Sequence, residues 1–248
     1  MRPLVLLLAA ALGGCATTDA PGGAAPGGAA RVLVYTNANG FVHASRSAGV
    51  EALRELGAAH GFAVDATEDS LAFTPARLAG YRAVVFLSTS GDVLGPSGEA
   101  ALRAFVEGGG GFVGVHAASD TEDDWPWYRE LVGARFDNHP AVQPATVVVA
   151  DAGHPATRAL PARWTRTDEW YAFDARPAGV RVLLRVDASS YEGGTMGDDH
   201  PVAWAHDVGR GRSLYTALGH TAESYAEPLF RAHLAGAVCW AARAACAP

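Results

Sequence analysis

Four short apolar runs, at residues 32–35, 62–64, 83–87 and 112–115, recur between segments of helical periodicity. This alternation limits the possible folds more than any other feature. The run Ala83-Val84-Val85-Phe86-Leu87 has no polar position. A strand without a polar face must be covered on both sides, as in a parallel sheet between two layers of helices. The intervening segments supply those helices. Val50, Leu53 and Leu56 fall at helical spacing within 47–59, and Gly61 suits the residue just past a helix end. Thr74-Pro75 reads as an N-cap with proline at the first helical position. Ser97 can cap a helix running to Glu107, which Gly108-Gly109-Gly110-Gly111 then stops. The pattern predicts an α/β fold with a doubly wound parallel sheet. Ligands bind such sheets beyond the carboxyl ends of the strands, which directs attention to the polar residues after Tyr35, Leu87 and Val115.

The second half is less regular. Strands are expected at 146–149 and 180–186, and 202–205 pairs with 213–216 across the turn at 207–212. A helix over 228–242 closes a domain spanning 31–245, of single-domain size. Ahead of it, residues 1–14 read as a secretory signal: Arg2, an apolar stretch at 4–12 too short to span a bilayer, then small residues. Leu12-Gly13-Gly14-Cys15 resembles a bacterial lipobox, implying lipidation at Cys15. Several acyl chains there would anchor the protein stably. Residues 15–30, rich in Ala, Gly and Pro, form a flexible tether. With Ala16 after the cysteine, the expected location is the outer membrane facing the periplasm, with the lipid anchor as the sole membrane contact.

Composition removes several chemistries. All 19 basic side chains are arginine, so Schiff-base, pyridoxal-phosphate and P-loop lysine mechanisms have no residue to use. A net charge of −7 without a basic stripe argues against nucleic acid as a partner. Cys239 and Cys246, if both helical, are separated by about 10 Å of rise, beyond disulfide reach. Cys239 then reads as core and Cys246 as a frayed tail, and a thiol nucleophile is unsupported.

Four groups of residues carry potential chemistry. In Gly114-Val115-His116-Ala117-Ala118-Ser119-Asp120, His116 stands at the strand-to-loop turn where a side chain projects over the sheet edge, suited to a general base or metal ligand. Asp123-Asp124-Trp125-Pro126-Trp127-Tyr128, followed by Asn138-His139-Pro140, offers Trp125 and Trp127 as a sugar-stacking surface. The same tryptophans would also serve as an apolar plug at a helix start with Pro126 in its first turn. In Asp168-Glu169-Trp170-Tyr171, adjacent carboxylates point apart, and Glu169 is the one assigned to the site. Finally, His206 and His220 cap the ends of the paired strands and could face one another. His116, His206 and His220 are candidate ligands for zinc or another divalent ion, although no HExxH spacing is present. His43 lies after the first strand and can join the same mouth, whereas His60, His154 and His233 read as surface or helix-packing residues.

Several segments in order carry a family resemblance: Gly40-Phe41-Val42-His43, residues 110–116, Trp125-Pro126-Trp127-Tyr128 with His139-Pro140, Asp168-Glu169-Trp170-Tyr171, and the 201–220 hairpin with Gly219-His220. The chain resembles the ThuA-like (trehalose utilisation) family over nearly all of 31–242. The resemblance implies a flavodoxin-like three-layer sandwich with a mostly parallel central sheet, as in class I glutamine amidotransferases. It departs from true amidotransferases at the elbow, where their cysteine is replaced by His116, so glutamine hydrolysis is not expected. It also implies sugar metabolism, in particular disaccharides such as trehalose and their 3-keto derivatives. The expected enzyme is of hydrolase or lyase type, with His116, Glu169 and His220 catalytic. His43, Asp120, Trp125, Trp127, His139 and His206 would then bind a small-molecule carbohydrate. The alternatives are a non-catalytic carbohydrate-binding lipoprotein and a metal-dependent hydrolase of another substrate class.

Overall fold

The four apolar runs lie side by side in a nine-stranded sheet in the computed structural model, which describes residues 29–245. The expected signal segment, the expected lipidation at Cys15 and most of the expected tether fall outside the described residues. In chain order the elements are β1 (Ala30–Tyr35), α1 (Arg46–His60), β2 (Phe62–Thr67), α2 (Pro75–Leu78), β3 (Ala83–Leu87), α3 (Pro96–Glu107), β4 (Gly111–Val115), α4 (Pro126–Val132), β5 (Phe136–Asn138), β6 (Gln143–Val149), β7 (Arg163–Asp168), β8 (Ala172–Phe173), β9 (Arg181–Val186), β10 (His200–Val208), β11 (Gly211–Thr216) and α5 (Pro228–Ala241). The main sheet runs β2-β1-β3-β4-β11-β10-β9-β6-β7, and β5 and β8 pair separately. From β2 to β11 the pairings are parallel; from β11 to β7 they are antiparallel. The fold is thus α/β, with a mostly parallel centre, consistent with a flavodoxin-like sandwich.

Burial explains the split. Every residue of β3 and β4 is buried, because α1 and α5 cover one face and α2, α3 and α4 the other. β7 instead alternates: Trp164, Arg166 and Asp168 are buried, whereas Arg163, Thr165 and Thr167 are exposed. That is the period-2 pattern of a strand with one covered face.

Helix boundaries follow local chemistry. Gly61 ends α1 in the left-handed region at φ 83°, and the Thr74 side chain accepts from Arg77 N–H to cap α2. α3 begins earlier than a Ser97 cap predicts: Gly95 is the N-cap and Pro96 takes the first turn. α5 stops at Ala241, and Arg243 turns the chain back at φ 51°, with Ala244 N–H donating to Cys239 O. The helix therefore ends before Cys246, so the rise expected between the two cysteines does not apply. Cys239 is buried in the core, as its reading expects, but it is also disulfide-bonded, which corrects the expectation that it forms no disulfide. Among the described residues no helix is long and apolar enough to cross a membrane.

Candidate functional site

Four chain segments meet at the carboxyl edge of the parallel strands. His43 follows β1, His116 follows β4, His220 follows β11, and Glu169 follows β7. β7 is the far edge strand, but its direction matches that of β11, so both release their chain at the same edge. One ligand atom from each of His43, His116, Glu169 and His220 lies within 4.8 Å of the others, an arrangement that could hold a metal ion.

His116 is fully buried and sits at φ 53°, a conformation unusual for a non-glycine residue. Its Nδ1 lies 2.8 Å from the Ala217 carbonyl. A carbonyl only accepts, so Nδ1 carries the hydrogen and Nε2 presents a lone pair to the cluster. That Nε2 is 3.4 Å from Glu169 Oε2 and 3.1 Å from His220 Nδ1. His220 Nδ1 is also 3.1 Å from Glu169 Oε2. A lone pair and a carboxylate oxygen facing each other repel unless a proton or cation is shared among them. The donor set therefore suits a divalent ion.

The electrostatics agree with the geometry. Burial would raise the Glu169 pKa, but the imidazoles of His116 and His220 prevail and hold it well below the usual carboxylate range. The hydrogen bond to Glu169 raises that of His220. Burial, with His116 and His220 nearby, pushes His43 down to about 3, and its buried Nδ1 has no hydrogen-bond partner among the described residues. A neutral imidazole with an unused nitrogen is a ready ligand.

Asp168 points away from Glu169 and builds the site from behind. Its carboxylate accepts from Gly219 N–H at 2.9 Å and from His220 N–H and Glu169 N–H at 3.0 Å. Arg166, itself buried, pairs with Asp168 at 3.0 Å and donates to Ser224 Oγ at 2.8 Å. Behind His116 lies Tyr171, with ring centroids 4.3 Å apart. The Tyr171 carbonyl accepts from His200 Nε2 at 2.8 Å, which leaves His200 Nδ1 to accept from Tyr191 Oη at 2.7 Å. Arg166 and His200 lie outside every motif, and Asp168 and Tyr171, though within the 168–171 segment, are not among the expected site residues; the alternation in β7 is the signal that Arg166 and Asp168 turn inward.

Two further expected site residues lie at the rim. His139, on the exposed side, places Nδ1 3.1 Å from Glu169 Oε1. Asp120 accepts from Ser90 Oγ at 3.1 Å, and burial raises its pKa. A groove of about 420 Å³, walled by Thr36, Val42, Arg46 and Glu68, reaches His43 from the β2 side.

Three expected residues lie elsewhere. His206 pairs with Ser213, whereas the site end of the hairpin is the Ala203–Thr216 pair. Three residues of extended chain put it roughly 10 Å from that end. The antiparallel reversal sends His206 toward the turn, where Nε2 donates to Glu130 O at 3.1 Å. Trp127 donates to Glu107 at the end of α3, and Trp125 packs on Trp127 with ring centroids 4.9 Å apart. These tryptophans form the plug at the start of α4 instead of a surface at the cluster.

A doubly wound sheet bearing an imidazole–carboxylate cluster at its carboxyl edge defines an α/β protein with its candidate site beyond the ends of the parallel strands. The chain belongs to the ThuA family, described as trehalose utilisation, whose model matches residues 31–241. A ThuA-like protein from Bacteroides uniformis superposes with a TM-score of 0.74 at 24% identity, covering 90% of this chain and 95% of that one. One from Parabacteroides merdae gives 0.72 at 20% identity, covering 86% and 90%. A β-galactosidase from Bacillus circulans gives 0.57 at 16% identity over 85% of this chain but 31% of its own. A comparison with curated proteins finds no match.

Proposed function

We propose that the chain is a metal-dependent enzyme acting on a disaccharide, a glycoside or its 3-keto derivative. The convergence of His43, His116, Glu169 and His220 carries this reading. With all four as ligands a tetrahedral ion would be saturated, so an ion accepting five or six ligands is the better fit for catalysis. The chemistry supplied by such an ion is polarisation of a carbonyl at C3 of the sugar, which acidifies the C2 proton. His139 is then placed to move that proton: its Nδ1–H is held by Glu169 and Pro140 O, leaving Nε2 to accept. Loss of the C2 proton, formation of the C1–C2 double bond and departure of the glycosidic oxygen, protonated by water or a rim acid, complete an elimination. Export to an oxidising compartment is part of the same proposal, supported by the Cys239 disulfide and the lipobox-like residues before Ala16.

Elemental analysis of the purified protein, paired with turnover of 3-keto-trehalose with and without chelator, tests the reading. We expect one equivalent of divalent metal and chelator-sensitive cleavage, lost in His116→Ala. A protein that holds no metal and leaves the sugar unchanged over hours would overturn it in favour of a binding role.

A further inference from the structure

The loop after β1 presents Phe41 with 65% and Val42 with 56% of their surface exposed, directly beside the buried cluster. This loop is firmly held. Asn39 N–H and Gly40 N–H donate to Ser90 O, and Phe41 N–H donates to Ser90 Oγ at 2.9 Å. A side chain at Gly40 would push Ser90 Oγ out of the position from which it holds this loop. The loop backbone is therefore held in place, and the exposed Phe41 ring stands with its centroid 4.7 Å from that of His43. Ser90 Oγ also bonds Asp120 Oδ2, which brings a half-buried carboxylate beside the same loop.

We propose that Phe41 is the stacking platform for a neutral pyranose ring and that Asp120 accepts hydroxyls of that ring. An apolar face next to a hydrogen-bond acceptor matches a sugar, which has a C–H face and a hydroxyl rim. The inference rests on the sugar reading above and assigns the aromatic contact to Phe41 in place of Trp125 and Trp127.

Calorimetric titration of trehalose into the wild type, Phe41→Ala, Phe41→Trp and Asp120→Asn tests it, with metal content and sedimentation measured on each. Phe41→Ala should weaken binding at least about tenfold and Phe41→Trp should retain it, at unchanged metal content. Asp120→Asn should weaken binding as well, and full affinity in that variant overturns the role given to Asp120. Wild-type binding with no loss in Phe41→Ala overturns this inference alone. A change in self-association in place of sugar affinity also overturns it. Absence of trehalose binding by the metal-loaded wild type overturns this inference, and the sugar reading falls with it only if 3-keto-trehalose is also left unchanged.

Discussion

Glu169 and Glu122 show how one side-chain type takes opposite roles according to its neighbours. Glu169 is held ionised by imidazoles. Its replacement in Glu169→Gln removes the anionic ligand, and metal affinity should fall at least about 100-fold by competition titration while the fold persists. Glu122, at φ 53°, accepts from Val93 N–H and Leu94 N–H, and burial raises its pKa to about 7. The folded form then retains a proton that the unfolded chain has lost, so Glu122 lowers stability increasingly as pH rises from about 4.5 to about 7. Glu122→Gln should flatten that dependence and stabilise the protein at pH 8 by on the order of 2 kcal/mol, read from denaturant midpoints.

At the scale of elements, the end of β7 and the loop after β11 form one unit. Asp168 ties them through the backbone of Gly219 and His220, and Arg166 neutralises it in the interior. Asp168→Asn leaves the buried Arg166 with Glu227, at 3.1 Å, as its remaining carboxylate partner and weakens the bonds from Gly219 and His220 N–H, and should cost about 1–3 kcal/mol. Metal affinity should drop with it, since the loop carrying His220 loses its anchor. Gly219 has φ 114°, and a Cβ there would stand 2.8 Å from Tyr225 Oη and 3.1 Å from Phe230. Gly219→Ala should therefore displace His220 and weaken metal binding more than a change of one methyl group suggests, as calorimetric titration would show.

Over the whole molecule, buried histidines set the response to acid. Burial lowers the pKa of His154 and His233 to about 4, and shifts His200 and His206 in the same direction. The unfolded chain protonates these groups near pH 6.5, so it binds more protons than the folded form between about 4 and 6.5. Stability should fall as pH drops through that window, outweighing the opposite trend of Glu122. Thermal melts from pH 4 to about pH 8 should show a maximum close to pH 6.5, and a Tm that rises steadily on acidification would contradict this account.

The parallel half of the fold is legible in the chain because its strands are apolar at every position and its helices repeat at helical spacing, both local properties. His43, His116 and His220 can be placed at one edge because each follows a parallel strand or its hairpin partner. Glu169 separates from Asp168 on the geometry of adjacent side chains. The residues in order are thus enough to set the α/β class, the edge where ligands bind and the residue types available there. Only the folded chain places the end of β7 at that same edge, turns His206 away and packs Trp125 and Trp127 at the start of α4. Strand order and direction arise from contacts distant in the chain, and a residue's spacing carries no record of which strand will lie beside it.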